Sequence, residues 1–347
     1  MRVVGLLVVG TSAFVLFLWR RRRQHISPPR LPSAAPRLDV RSLPPSAVPR
    51  ALQTLHYFDL DAARDRGCKH AAYLAQAGDV GAAVDGLHAY VCELLDRELA
   101  TLRQAGASSS IVPGSAVCVG PTQDGGAWHG KVLLASGDAR SIVQPERILC
   151  CDTTAPGELM LGAGVELQGG TFDLSRGSIF LGEGCCVEPG AYVRGPAHFG
   201  QRCTVRHGAY VRGDVVVGSD SVVGGELKHM LGLEHIECPH YGYCGDALLG
   251  YKAHLGCGAL TANLPLFPSS LPAVDIDGTT YTLGRRKFGA VLGDHVTLGC
   301  GCVAEPGCLV APGTQAYPLC RLPRGLYGPK ELIKHPVRHV RVPIEVR

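Results

Sequence analysis

Aromatic residues are scarce in this 347-residue chain, at 6%, while Gly 45 and Pro 24 are high. That shortage disfavours a helical bundle and favours many short strands joined by tight turns. Acid is almost missing from the N-terminus. The first fifty residues hold nine Arg (Arg2, Arg20, Arg21, Arg22, Arg23, Arg30, Arg37, Arg41, Arg50) against Asp39, a balance of +8 that leaves −4 on the rest of a +4 chain. A nucleic-acid protein would carry its basic residues on the folded domain, so no nucleic-acid partner is expected. Regular cysteine spacing is also absent. Fifteen Cys occur irregularly, with Cys150-Cys151 and Cys185-Cys186 adjacent, in a chain too long for a disulfide-stapled miniprotein. A reducing compartment follows. His229, His235 and His254 with Cys238 match no closed zinc site, and no metal is expected.

The N-terminus itself suggests a membrane segment. Val3 to Trp19 is apolar apart from small residues and hydroxyls, and Arg20 to Arg23 follow at once. About 25 Å of helix is the short limit of a membrane span. The positive-inside rule would place everything after it on the cytosolic side. The leading expectation is a single-pass anchor over 1–23 and a membrane location. A cleaved signal and an Arg-rich organelle leader are the alternatives.

Residues 24–50 are Pro-rich and read as a linker without a core. Over 51–106, Val84, Leu87, Val91, Leu94-Leu95, Leu99 and Leu102 recur at helical steps, with Asp96, Arg97 and Glu98 assigned to other faces. Residues 107–150 read as short strands between Gly- and Asp-rich turns, expected as a small SH3-like barrel without an aromatic cage. A basic tail is expected over 321–347.

The region 151–320 carries the clearest signal. Every sixth residue from Leu181 is large and apolar: Val187, Val193, Phe199, Val205, Val211, Val217, Val223. Four residues after each stands a mostly small one: Cys185, Ala191, Ala197, Cys203, Ala209, Val215, Ser221, Leu227. The pattern resumes at Leu249, Leu255, Leu292, Leu298, Ala304 and Val310. Three such segments make one triangular coil, bulky residue inward and small residue at the corner. The fold class is therefore mainly β, a parallel β-helix of hexapeptide repeats behind an N-terminal helical region. About seven coils are expected between Leu161 and Ala316, with most Cys acting as small fillers.

Polar residues crowd where the repeat is interrupted. Glu226-Leu-Lys228 precedes Pro239-His240-Tyr-Gly-Tyr243-Cys-Gly-Asp246; then come Gly256-Cys-Gly-Ala-Leu-Thr-Ala262-Asn263 and Arg285-Arg286-Lys287-Phe-Gly-Ala. An excursion from Pro265 to Thr282 leaves the coil between the last two. As an ordered set, P-H-x-x-Y-x-G-D, G-x-G-A-x-T-A-N and R-R-K-x-G-A resemble the acetyltransferase half of the bifunctional glucosamine-1-phosphate acetyltransferase/N-acetylglucosamine-1-phosphate uridyltransferase family, closest in style to its archaeal-type members.

That resemblance implies a left-handed coil, a homotrimer with sites between prisms, acetyl-CoA as co-substrate and a hexosamine 1-phosphate as acceptor. It implies His240 as catalytic base, a role suited to a side chain titrating near neutrality. Arg212, Lys228, Tyr243, His254 and Lys287 become substrate contacts, with Arg206 and Arg194 repeating the Val-Arg pattern of Arg212. Asn263, Ala262 and Gly299 become co-substrate contacts. Three departures stand out. The family has Asn where this chain has His254; two residues are missing before Glu226; and nothing in 1–160 resembles the uridyltransferase nucleotide loop. A non-catalytic β-helix scaffold is the rival expectation, and a nucleotidylyltransferase relying on a partner chain is the third.

Overall fold

The computed structural model describes residues 36–106, 157–267 and 270–335, with the backbone alone of Ser108–Ser109, Val132–Leu134, Ile142–Val143 and Arg147–Leu149. From Leu38 onward the chain is one compact unit.

Its body is a β-solenoid. One face, here face one, is a ten-stranded sheet running from Ile142–Val143 to Leu332–Ile333, so the described residues make about ten coils. Faces two and three join because Glu226–Gly232 and Tyr243–Leu249 each run round the corner between them. Register is strict: Val187 lies between Leu167 and Val205, and Val193 between Phe172 and Val211, all in parallel. Every hexad residue from Leu181 to Val223 is fully buried, and so are the small partners from Cys185 to Leu227. Side chains from all three faces meet in a single core along the prism axis.

The solenoid is longer than its sequence signature. Val132–Leu134, Ile142–Val143 and Arg147–Leu149 pair in parallel with Leu159–Leu161, Glu166–Leu167 and Thr171–Asp173. These strands extend the prism, where an independent small barrel was expected; the rest of 107–156 lies outside the described residues. At the other end Arg321–Leu322, Gly325–Tyr327 and Leu332–Ile333 continue the coil past 320, where a basic tail was expected. Residues 336–347 lie outside the description.

Face three carries a second layer. Its strands read apolar at three successive positions, so their middle residues point outward: Met160, Phe180, Val216, Leu231, Leu248, Val291 and Leu309. Such runs signal a sheet buried on both sides. Four helices cover that stripe: α1 (Leu60–Asp65), α2 (Ala71–Ala77), α3 (Val80–Asp85) and α4 (Leu87–Gln104). Asp59 caps α1 by accepting from Ala62 N at 3.0 Å, and Asp79 caps α3 by accepting from Ala82 N at 2.9 Å. In α4 Leu87, Val91, Leu94, Leu95 and Leu102 of the expected stripe are buried and Leu99 is half-buried, but Glu98 is buried too, against expectation. It is held by Lys69 Nζ at 2.8 Å and faces His198 Nε2 at 3.4 Å. Residues 40–52 are also packed rather than linker-like, with Val40, Val48 and Leu52 in the interface.

The expectation of a membrane anchor is corrected. Among the described residues no helix is long and apolar enough to cross a membrane. The longest, α4, carries Glu93, Asp96, Arg97, Glu98 and Arg103 and is spent on covering face three. The tether, the membrane partner and the membrane location fall together, and segment 3–19 lies outside the described residues.

Candidate functional site

The excursion leaves the prism after Asn263 and returns before Ala290–Leu292. In between, Ala273–Ile276 and Thr279–Thr282 form an antiparallel hairpin closed by Asp277-Gly278, both at positive φ as a tight two-residue turn requires. Its base is tied to the solenoid: Phe288 N donates to Asn263 O at 2.9 Å and Gly289 N to Asp246 O at 2.8 Å. Lys287 is therefore fixed by its neighbours beside Asn263, yet its side chain is exposed.

A polar ladder runs up the corner between faces two and three, through Asp214, His229, Asp246 and Asn263. Asp214 accepts contacts from His229 Nδ1 at 3.4 Å and from His88 Nδ1 at 2.6 Å. Burial raises the Asp214 pKa, but the two imidazoles outweigh it and hold the carboxyl below its usual range. His229 Nε2 also lies 2.8 Å from Val84 O of α3. Arg285 bridges from the excursion, 3.3 Å from His229 Nε2, 2.9 Å from Asp246 Oδ1 and 3.1 Å from Asp85 Oδ1. Asp246 is 1% exposed and adopts φ 50°. The Asn263 amide then donates to Asp246 Oδ2 at 2.5 Å and to the Tyr243 hydroxyl at 2.7 Å. Burial, reinforced by the Asp246 charge, pushes the Tyr243 phenol up to about 12, so it stays a neutral hydroxyl.

Face two carries the cations. Adjacent register partners place Arg194, Arg212 and Lys228 one above another. Asp173 holds Arg194 at 2.8 Å and Glu226 holds Arg212 at 2.5 Å. Lys228 has no ion-pair partner among the described residues. Glu226, His240, Tyr241 and Tyr243 rim a small cleft floored by Leu227, Cys238, Cys244 and Leu255. His240 is exposed at this rim, and Arg206 Nη1 donates to the adjacent Pro239 O at 3.3 Å.

The structure thus places His240 and Tyr243 on one cleft where face two begins, with Lys228 one coil below Gly245 towards the far end of that face, Arg212 a coil below Lys228, and Asn263 and Lys287 at the far corner. It separates His254, which lies on face one with Nδ1 2.8 Å from Glu237 Oε2. Ala262 adjoins Asn263, with its N donating to Ala304 O at 2.8 Å, whereas Gly299 lies at the opposite corner, between faces one and two. Asp246 and Arg285 stand within the motifs without an expected role, His229 was weighed only as a metal ligand, and Asp214 was missed. The D of Y-x-G-D, an acid inside a buried strand, was the available signal.

A prism of hexapeptide coils with a polar crowd at its interruption defines a class: the chain resembles the hexapeptide-repeat acyltransferases, and in particular the acetyltransferase domain of the bifunctional sugar-phosphate enzymes. Sequence relatives agree. A Sulfurisphaera tokodaii protein named bifunctional sugar-1-phosphate nucleotidylyltransferase/acetyltransferase is 33% identical over 93 residues, 27% of this chain and 23% of that protein. The bifunctional protein GlmU of Methanococcus vannielii is 35% identical over 96 residues, 27% of this chain and 23% of its own length. GlmU of Methanococcus maripaludis is 34% identical over 152 residues, 43% of this chain and 36% of its own. The chain spans only about a quarter to a third of the length of these relatives. No family model matches it.

Proposed function

We propose that the chain is an acetyl-CoA-dependent N-acetyltransferase acting on an amino-sugar phosphate such as a hexosamine 1-phosphate. The observation that carries the reading is an exposed His240 rimming the same cleft as Tyr243, which is locked to Asn263, with Lys228 on the coil below and without an ion-pair partner among the described residues. His240 would take a proton from the sugar amine as its nitrogen attacks the thioester carbonyl; an amide forms, and the thiol of coenzyme A leaves with a proton. Lys228 and Lys287 would meet the phosphate as charge-assisted donors, with Arg212 and Arg206 nearby. Asn263 Oδ1 remains available to the co-substrate. The left-handed coil goes with this reading, and a β-solenoid is compatible with a trimer of prisms.

Release of free thiol from acetyl-CoA, followed with glucosamine-1-phosphate and galactosamine-1-phosphate, tests it. His240→Ala should cost about 10²–10⁴-fold, the range of a lost general base. His295→Ala, on the face-three corner against Tyr251, should leave turnover intact. A well-folded chain that turns over no amino-sugar phosphate would instead support a scaffold role.

A further inference from the structure

Most cysteines of the prism are fillers. Cys185, Cys203, Cys238, Cys244, Cys302, Cys308 and Cys320 are buried. Two differ. Cys300 is exposed and Cys257 partly so, and both sit at the corner between faces one and two. Each occupies the middle of a Gly-Cys-Gly turn whose second glycine has positive φ, 74° at Gly258 and 69° at Gly301. The two turns are consecutive in space although 43 residues apart in sequence. Before the corner Leu255 pairs with Leu298, and after it Leu260 pairs with Val303, the same offset on both sides. Gly301 N donates to Cys257 O at 2.8 Å, and a Cβ on Gly256 would lie 3.1 Å from Cys300 Cα. Cys257 and Cys300 are thus direct neighbours up the stack.

Coils stack at about 4.8 Å. Disulfides bridge Cα atoms about 4.4–6.8 Å apart. Two turns of the same conformation also launch their side chains in parallel. We infer that Cys257 and Cys300 form a redox-active dithiol that closes into a cross-coil disulfide when it meets a low-molecular-weight disulfide. The exposed Cys300 thiolate attacks one sulfur of the small disulfide, giving a mixed disulfide and releasing one small thiol. The Cys257 thiolate then attacks the Cys300 sulfur, and the second small thiol leaves. Two protein thiols are oxidised, one small disulfide is reduced to two thiols, and no other reactant is needed. The offset of 17 between Glu237 and His254 and between Tyr243 and Leu260 places His240 at the same corner, one coil below Cys257.

The dithiol stands apart from the acetyl-transfer reading, and its test reads thiols rather than turnover. The full chain is treated with oxidised glutathione at neutral pH, alkylated, digested without reductant and mapped by mass spectrometry. A Cys257–Cys300 link is expected, with two fewer alkylated thiols, reversal by dithiothreitol and no change at Cys302 or Cys320. Cys257→Ser should trap glutathione on Cys300, because the second thiol is gone. The same link should form in His240→Ala, where the acetyl-transfer reading expects the large loss of turnover. An unchanged thiol count, stable glutathione on wild-type Cys300, or a bond joining two chains would overturn the inference.

Discussion

At Asp246 a single carboxylate serves three neighbours: the Arg285 guanidinium, the Asn263 amide and, through Asn263, the Tyr243 hydroxyl. Burial decides what that is worth. Asp246 is 1% and Arg285 19% exposed in their ion pair, and removing one partner of such a pair typically costs about 3–5 kcal/mol because the other charge stays buried. The Arg321–Glu305 pair has a 71% exposed arginine, and pairs of that kind are worth about 0–1 kcal/mol. Denaturant unfolding should therefore rank Asp246→Ala well below Arg321→Ala in stability, and Asp246→Asn between them, since the amide keeps the shape and one acceptor. Equal losses from Asp246→Ala and Arg321→Ala would show that Asp85 alone satisfies Arg285. Little of this ladder was legible beforehand. His240, Tyr243, Asn263 and Lys287 could be picked out as parts of motifs, but Asp214, His229 and Asp85 belong to no short motif. The stacking of coils brings Asp214 and His229 to the ladder, with stacking partners fifteen to seventeen residues apart in the chain here, and the docking of α3 brings Asp85.

Between α4 and face three the chain buries an unusual set of ionisable groups. His198 is 2% exposed and stacks on Phe180 with centroids 4.9 Å apart; His70 is 3% exposed and accepts or donates to the Tyr90 hydroxyl at 2.8 Å. Glu98, Lys69 and Arg97 complete the surroundings. Burial, with the nearby His198, drives the His70 pKa down to about 3, and burial also lowers His198 despite Glu98. The unfolded chain, with histidines near about 6.5, then binds more protons than the folded one on acidification. Stability from these imidazoles is complete above that value and is lost as pH falls toward 3. Glu98 acts in the same direction. Burial raises its pKa, but His198 and Lys69 hold it at about 2, so its contribution is also lost in acid. Protection of the α4 amides, taken relative to their intrinsic exchange rates, should fall between pH 6 and 4 before that of the prism core, with His198→Phe flattening part of that dependence; an unchanged slope would remove His198 from the account. The helix itself was readable from its apolar steps. Glu98 was misassigned because three- and four-residue periodicity marks a stripe, and an acid beside it reads as solvated until its partners on another element are known.

Over the whole molecule, about ten coils in series would behave as a nearly one-dimensional array, each coil supported only by its neighbours. The helical layer changes that. It lies across face three from Met160 to Leu309, so coils far apart in the stack share one cover. The hexad revealed the prism because each bulky residue repeats at a fixed step. It concealed the cover, because the outward residues of face three repeat at a step of eighteen and become variable once loops intervene. It also concealed the added coils, since strands before 157 and after 320 keep the pairing while losing the strict pattern. The cover has a consequence for solubility. Removing residues 38–106 would leave Met160, Phe180, Val216, Leu231, Leu248, Val291 and Leu309, all nearly or fully buried in the intact chain, as one exposed apolar stripe. Contiguous apolar surface of that kind drives association. The shortened chain should bind anilinonaphthalene sulfonate strongly and aggregate, and Leu231→Glu with Leu248→Glu should restore its solubility while weakening docking in the full-length protein. A shortened chain that stays dispersed, dye-silent and cooperatively folded would mean that the stripe does not need the helices, and the solenoid would then be the independent unit that its repeat suggests.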